Sequence, residues 1–93
     1  MTSQPTRWTI RFDPRALKNL RALGSSDRAR VVRFLDERIA RSDDPRHLGT
    51  ALQGEHAGTW RYRVGDIRII VRIEFGELVV LVLEVGNRRE VYR

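Results

Sequence analysis

Two segments in which apolar and polar residues alternate meet at Gly65-Asp66, and this feature constrains the fold most. Residues 59–64 and 67–74 both show the period of two that is typical of β-strands with one buried face. Glycine followed by aspartate between two such segments favours a tight two-residue turn. The pattern therefore predicts an antiparallel hairpin, and the turn fixes which residues of the two strands lie opposite each other.

The predicted register gives the hairpin one apolar face and one basic face. The apolar face should pack against the helices and comprises Trp60, Tyr62, Val64, Ile67, Ile69, Val71 and Ile73. The other face carries four arginines, Arg61, Arg63, Arg68 and Arg72. Arg63 lies directly opposite Arg68, and like charges so placed destabilise a sheet by up to about 1 kcal/mol. A bound anion would relieve this repulsion; the alternative is a solvated face on which the long side chains point apart.

The residues before the hairpin predict one strand and a pair of helices. Residues 7–12 alternate with a period of two, and Asp13-Pro14 supplies an N-cap and a first-turn proline for a helix. Gly24 ends that helix, and Ser25 or Ser26 caps a second one. Residues 42–58 contain one proline and three glycines, which predicts a loop with room for a short strand or turn around residues 48–52.

The last apolar segment sets the order of the strands. Residues 78–85 are apolar on both faces and so belong in the middle of a sheet. Their neighbours should be the strand at 67–74 and the first strand, which leaves the strand at 59–64 on an edge. The predicted fold class is α+β, in the order β-α-α-β-β-β. We expect a four-stranded, mainly antiparallel sheet with an N-terminal helix hairpin packed on one face, in one domain over residues 1–93.

The charge of the chain favours an acidic partner. The net charge is +6, and of the 18 basic residues only Lys18 is a lysine. Arginine forms a planar fork that suits phosphate, although a GC-rich genome would also convert lysine codons into arginine codons. The longest apolar run, residues 78–83, is far shorter than the ~20 residues of a membrane span. The N-terminus has no apolar signal-peptide core, so we expect a cytoplasmic protein that binds no membrane.

Residues that could hold a metal or a cofactor are scarce. The chain has no cysteine, and its two histidines, His47 and His56, both fall in the predicted loop without a spaced partner. No metalloprotease motif or phosphate-binding glycine loop is present. We therefore expect neither a metal nor a cofactor.

The C-terminal tail concentrates polar groups just after the central strand. Residues 87–92 include one asparagine, two arginines, one glutamate and one tyrosine. The ordinary pKa of a tyrosine, ~10, is too high for a base at neutral pH, but nearby guanidinium groups would lower it. Tyr92 is thus a candidate base; the alternative is an aromatic ring that packs back on the core.

Both motifs resemble those of a known group of proteins. Residues 60–71, WRYRVGDIRIIV, resemble the RxRVGDYRxxY signature of the RelE/ParE toxin superfamily. Residues 85–92, VGNRREVY, resemble the VGHRREVY ending of its RelE branch. The strand and the helix pair fit the same plan, so the resemblance covers nearly the whole chain. It implies a toxin of a type II toxin–antitoxin pair, and RelE-type toxins cut mRNA in the ribosomal A site without a metal.

The resemblance also implies a catalytic set. Arg68 matches the arginine that stabilises the scissile phosphate, Arg88 the arginine after the VG step, and Tyr92 the tail tyrosine implicated in catalysis. Asn87 stands where many relatives have histidine, so an imidazole acid or base is missing there. Glu90 is a reserve candidate for the base, although pairing with a neighbouring arginine is the simpler role.

A second set of arginines is expected to bind RNA. It comprises Arg61, Arg63, Arg72 and Arg89, where arginine replaces the lysine-rich RNA grip of the family. The expected partners are mRNA, the ribosome and a cognate antitoxin whose acidic or amphipathic segment covers the sheet or the helix pair. The alternative within the superfamily is a ParE-like inhibitor that binds DNA gyrase and cuts no RNA. The third alternative is a protein of this superfamily that has no activity.

Overall fold

The computed structural model describes residues 7–87, and its elements follow the predicted order with one strand added. They are β1 (Thr9–Phe12), α1 (Pro14–Ala22), α2 (Ser25–Phe34), β2 (Thr50–Ala51), β3 (Trp60–Val64), β4 (Ile67–Glu74) and β5 (Val79–Asn87). A π-helical turn, Leu35–Ile39, continues α2, and two 3₁₀ turns cover Pro45–Leu48 and Gly54–His56. The predicted α+β class and the helix pair after the first strand are confirmed.

The strands form one sheet in the order β1-β5-β4-β3-β2. β5 lies between β1 and β4, which confirms the central position predicted for the last apolar segment. β1 pairs with β5 in parallel, and the other pairs are antiparallel. The prediction of four strands with β3 on the edge was wrong, because β2 pairs with β3 through Thr50 and Ala51. A two-residue strand is too short to show alternation in the sequence.

The helix pair is fixed at both ends of α1. The side chain of Asp13 accepts a hydrogen bond from the backbone N–H of Arg15 at 2.9 Å, as predicted for an N-cap. At the other end Arg28, on α2, donates to the carbonyls of Leu20 at 3.0 Å and Leu23 at 2.9 Å. Its guanidinium thereby satisfies carbonyls that the end of a helix leaves unpaired. No helix within residues 7–87 is long and apolar enough to cross a membrane.

The start of α2 differs from the prediction. Gly24, and neither serine, occupies the N-cap position, and no side chain caps the helix there. Ser25 is already the first helical residue. Only Leu23 and Gly24 separate α1 from α2, so both serines fall inside the second helix.

The core lies between the helices and one face of the sheet, with Tyr62 at its centre. The phenol ring is fully buried, and its hydroxyl donates to the carbonyl of Pro45 at 2.7 Å. A Cβ atom at Gly49 would lie 2.9 Å from Cε1 of Tyr62, so the loop passes the ring closely only because that residue is glycine. The buried side chains around it include Val31, Leu35, Ile39, Ile67, Ile69, Val71, Val80 and Val82. Trp60, Val64 and Ile73 belong to the predicted apolar face but are only partly buried.

Candidate nucleic-acid interface

The hairpin of β3 and β4 has the predicted register. Gly65 adopts a φ of +61°, which glycine tolerates, and the turn places Val64 opposite Ile67 and Arg63 opposite Arg68. The apolar residues that alternate with the arginines, Tyr62 and Ile69 among them, are buried against the helices. The four arginines of the hairpin, Arg61, Arg63, Arg68 and Arg72, therefore share the face of the sheet that points away from the helices. We call this surface the arginine face.

The four side chains of the arginine face are not equivalent. Arg63 and Arg72 are exposed and Arg61 is half-buried. Arg68 is only 8% exposed and is the one buried charged residue within 7–87. Arg68 is therefore much less exposed than Arg63 and Arg72, which share its face of the sheet. It lies on β4, which has strands on both sides, whereas the sequence pattern indicated only which face the residue occupies.

Arg68 has strand neighbours on both sides. Across β3 it faces Arg63, and across β5 it faces Gly86, which has no side chain and is itself buried. Burial in the middle of a sheet also limits how far the arginine can swing, so its charge is held at one place.

Helix α1 holds the end of β5 that carries Gly86. β1 pairs with β5 only as far as Phe12 and Val82, and no other strand within residues 7–87 pairs with the rest of β5 on that side. There the side-chain carbonyl of Asn19 accepts a hydrogen bond from the backbone N–H of Val85 at 3.0 Å. Sequence reasoning missed Asn19, although its position three residues after Ala16 places an amide on the apolar side of α1.

A bulge in β5 brings an acid onto the arginine face. The pairing shifts between Ile70 and Val71, so that Ile70 faces Glu84 and Val71 faces Val82. The bulge turns Glu84 to the same side as the arginines. Its carboxylate lies 3.6 Å from Nη1 of Arg15 on α1. The arginine face therefore includes one acid from the neighbouring strand, which the hairpin sequence alone did not indicate.

Several predicted site residues lie outside the described residues. These are Arg88, Arg89, Glu90 and Tyr92. Asn87 is the last described residue; it is exposed and lies opposite Ile67. By the alternation of the strand, Asn87 belongs to the face of Ile67 and not to that of Arg68.

The loop that precedes β3 is tied down by charge and by aromatic contacts. The Arg46 guanidinium hydrogen-bonds to Asp44, with Nη2 at 2.6 Å from Oδ2, and lowers the pKa of that carboxyl to about 2. The same guanidinium lies 4.9 Å from the centroid of the Phe75 ring. Burial raises the pKa of Tyr62 above its ordinary value, so this tyrosine remains a neutral hydrogen-bond donor and cannot serve as a base.

The two histidines do not come together. His47 lies 3.7 Å from the carboxylate of Asp44, and His56 ends the second 3₁₀ turn. Within residues 7–87, no three side chains of the metal-binding types are grouped together.

Comparisons with a protein family, with a relative and with solved structures all indicate the same superfamily. Residues 10–92 match the family described as ParE toxin of type II toxin–antitoxin system, parDE. Toxin RelG of Mycobacterium tuberculosis is 34% identical over 86 residues, which cover 92% of this chain and 97% of the relative. A chain of the RelBE2 toxin–antitoxin complex from the same organism superposes with a TM-score of 0.82 at 30% identity, covering 96% of this chain and 100% of that one. The isolated Escherichia coli RelE toxin has a TM-score of 0.68 at 28% identity, covering 91% and 90%.

These relatives share the sheet and helix pair described above and confirm the resemblance carried by the two sequence motifs. The chain belongs to the ParE toxin family of type II toxin–antitoxin systems, within the RelE/ParE superfamily.

Proposed function

We propose that this toxin is an endoribonuclease that cuts mRNA on the ribosome and so arrests translation, with residues 1–93 acting as one domain. The observation that carries the proposal is Arg68, a buried arginine in the middle of the sheet, between Arg63 on β3 and Gly86 on β5. A fixed positive charge of this kind suits a phosphate whose charge grows during reaction. Arg63 stands directly opposite, and an RNA backbone would relieve the repulsion between the two arginines.

The chemistry we propose is attack of an RNA 2′-hydroxyl on the adjacent phosphorus atom. The P–O5′ bond breaks, which leaves a 2′,3′-cyclic phosphate and a 5′-hydroxyl. Arg68 and Arg88 would stabilise the charge on the phosphoryl oxygens, and Tyr92 would accept the proton of the 2′-hydroxyl as general base. Arg88 and Tyr92 are assigned by their place in the tail motif.

The remaining arginines would hold the RNA backbone. Arg61 and Arg63 flank Tyr62 on β3, and Arg72 continues the row on β4. Arg89 is assigned to this set from the tail motif. Contacts of this type position the strand without selecting its sequence.

An antitoxin is the expected protein partner. The RelBE2 complex from M. tuberculosis and the intact RelBE complex from E. coli are both toxin–antitoxin assemblies. For a chain of net charge +6 we propose a cognate antitoxin with an acidic or amphipathic segment, in the cytoplasm, where mRNA and ribosomes are also found.

Inhibition of DNA gyrase is the second candidate function. The family whose description fits residues 10–92 is named for ParE toxins, whereas the relatives RelG and RelE carry the names of the other branch. Gyrase inhibition would need binding alone and no reaction at Arg68. We favour the nuclease because the tail motif supplies an arginine and a tyrosine in addition to the guanidinium of the buried Arg68.

Induction of the toxin in living cells separates the two functions. For a nuclease we expect new 5′ ends in mRNA within minutes, loss of protein synthesis and normal DNA supercoiling. For a gyrase inhibitor, DNA breaks and the SOS response come first and mRNA stays intact. The measurement is a map of mRNA 5′ ends beside a supercoiling assay on the same culture. Intact mRNA together with early DNA damage would contradict the nuclease proposal.

A single deoxynucleotide tests the proposed reaction. Because the 2′-hydroxyl is the nucleophile, deoxy substitution of the nucleotide 5′ of the scissile phosphate should block cleavage of ribosome-bound mRNA. The same substitution one nucleotide further upstream is the matched control and should leave the rate unchanged. EDTA, added with enough Mg²⁺ to keep the ribosomes intact, should have no effect on the toxin's own step. Cleavage that survives the first substitution would rule the mechanism out.

A further inference from the structure

A cleft of about 400 Å³ opens on the arginine face, lined by Ile70 and Arg72 of β4 and by Leu83 and Glu84 of β5. One wall is the loop before β3, including His56 and Thr59, and the opposite wall is the bulge of β5. The hydroxyl of Thr59 donates to the carbonyl of His56 at 2.5 Å, a hydrogen bond within this loop. The cleft therefore lies between the loop and β5 and reaches the arginine face at Arg72.

The floor of the cleft is apolar although the face around it is charged. Ile70 lies between Arg68 and Arg72 along β4 and is only 6% exposed. The bulge brings Leu83 and Glu84, which are adjacent in the chain, both to the cleft. An ordinary strand would have turned one of the two to the other face. The bulge thus places an apolar surface and a carboxylate side by side.

The rim offers both kinds of hydrogen-bonding group. Glu84 is an acceptor, and its side chain is 24% exposed, so a ligand can reach the carboxylate. Arg72, which also lines the cleft, is an exposed donor. Asp13, Arg15 and Glu55 also line the cleft, so a polar and charged rim surrounds the apolar floor. A flat ring with polar edges fits this arrangement.

Distance along β4 links the cleft to the phosphate site. Arg68 and Ile70 are two residues apart on one strand and one face, a separation of roughly 7 Å. We propose that the cleft holds the base of the nucleotide next to the phosphate bound at Arg68, and that Glu84 accepts a hydrogen bond from the exocyclic amino group of that base. Adenine, cytosine and guanine carry such an amino group and uracil does not, so the cleft selects against uracil. This inference rests on the proposed function.

The test compares cleavage of ribosome-bound mRNAs that differ only in the base of a nucleotide next to the scissile phosphate. For each protein the measured quantity is the ratio of the rate with cytosine to the rate with uracil. Glu84→Gln should lower this ratio about tenfold, because the amide can donate to O4 of uracil whereas the carboxylate cannot. Preferences of the ribosome itself cancel when the variant is compared with the wild type.

Two controls separate base selection from other effects of the substitution. Glu37 is an exposed residue of the π-helical turn beyond α2. The substitution Glu37→Gln should leave both rates unchanged. Arg15→Gln removes the ion pair of Glu84 but keeps the carboxylate, so the order of base preference should persist. An unchanged ratio in Glu84→Gln overturns the base-selecting cleft while leaving the nuclease intact. Failure of the wild type to cut any of the mRNAs overturns the proposed function and the inference together.

Discussion

Replacing Arg68 with glutamine is expected to slow mRNA cleavage about 10²–10³-fold, the usual effect of removing a preorganised charge stabiliser. Arg68 as a whole is 8% exposed, so the reaction loses a positive charge in a place that water reaches poorly. Glutamine is preferred to alanine because it keeps most of the side-chain volume in a packed position. The measurement is the single-turnover rate of cleavage of ribosome-bound mRNA by equal amounts of folded toxin.

Two further variants make the Arg68 result specific. Arg68→Lys keeps the charge but loses the planar fork, and we expect an intermediate rate. Arg33→Gln removes an exposed arginine from α2, in the helical layer on the other side of the sheet, and should cleave at the wild-type rate. Full cleavage by well-folded Arg68→Gln would show that the nuclease site is elsewhere.

Replacing Tyr62 with alanine should cost about 3–5 kcal/mol in the free energy of unfolding, enough to unfold much of a small protein. The ring is completely buried at the centre of the core, so its removal leaves a cavity there. Tyr62→Phe keeps the ring but leaves the carbonyl of Pro45 without its donor, and should cost about 1–3 kcal/mol. Urea denaturation followed by circular dichroism measures both values.

The neighbouring tryptophan provides the comparison. Trp60 shares the apolar face of β3 with Tyr62 but is only partly buried, so Trp60→Ala should destabilise the protein less than Tyr62→Ala. The reverse order, with Trp60→Ala the more damaging, would contradict the packing described for this face.

Much of the fold could be predicted from local patterns in the sequence. The two residues Gly65 and Asp66 were enough to set the register of the hairpin, because a two-residue turn leaves only one pairing of the flanking strands. The apolar character of β5 on both faces placed it in the middle of the sheet. Of the two motifs that indicated the family, one coincides with the hairpin and the other begins in the last residues of β5.

The features that the sequence did not indicate depend on contacts between distant segments. β2 exists only because β3 offers it an edge, and no pattern within two residues could indicate that. The bulge that turns Glu84 toward the arginines depends on the pairing of β4 with β5. The burial of Arg68 follows from the strands on either side of β4, and the role of Asn19 from a helix that crosses the end of a strand 66 residues later. None of these contacts produces a periodic pattern in the local sequence.

The position of β5 has a consequence for how the toxin is made. β1 and β5 pair side by side although Thr9 and Val79 lie about 70 residues apart in the chain. A nascent chain that still lacks β5 holds two unpaired strand edges, one on β1 and one on β4, and Arg68 has no neighbour on one side. Contacts of such high contact order form late, after the separating residues have been synthesised. Translation itself therefore keeps the arginine face incomplete until β5 has been synthesised.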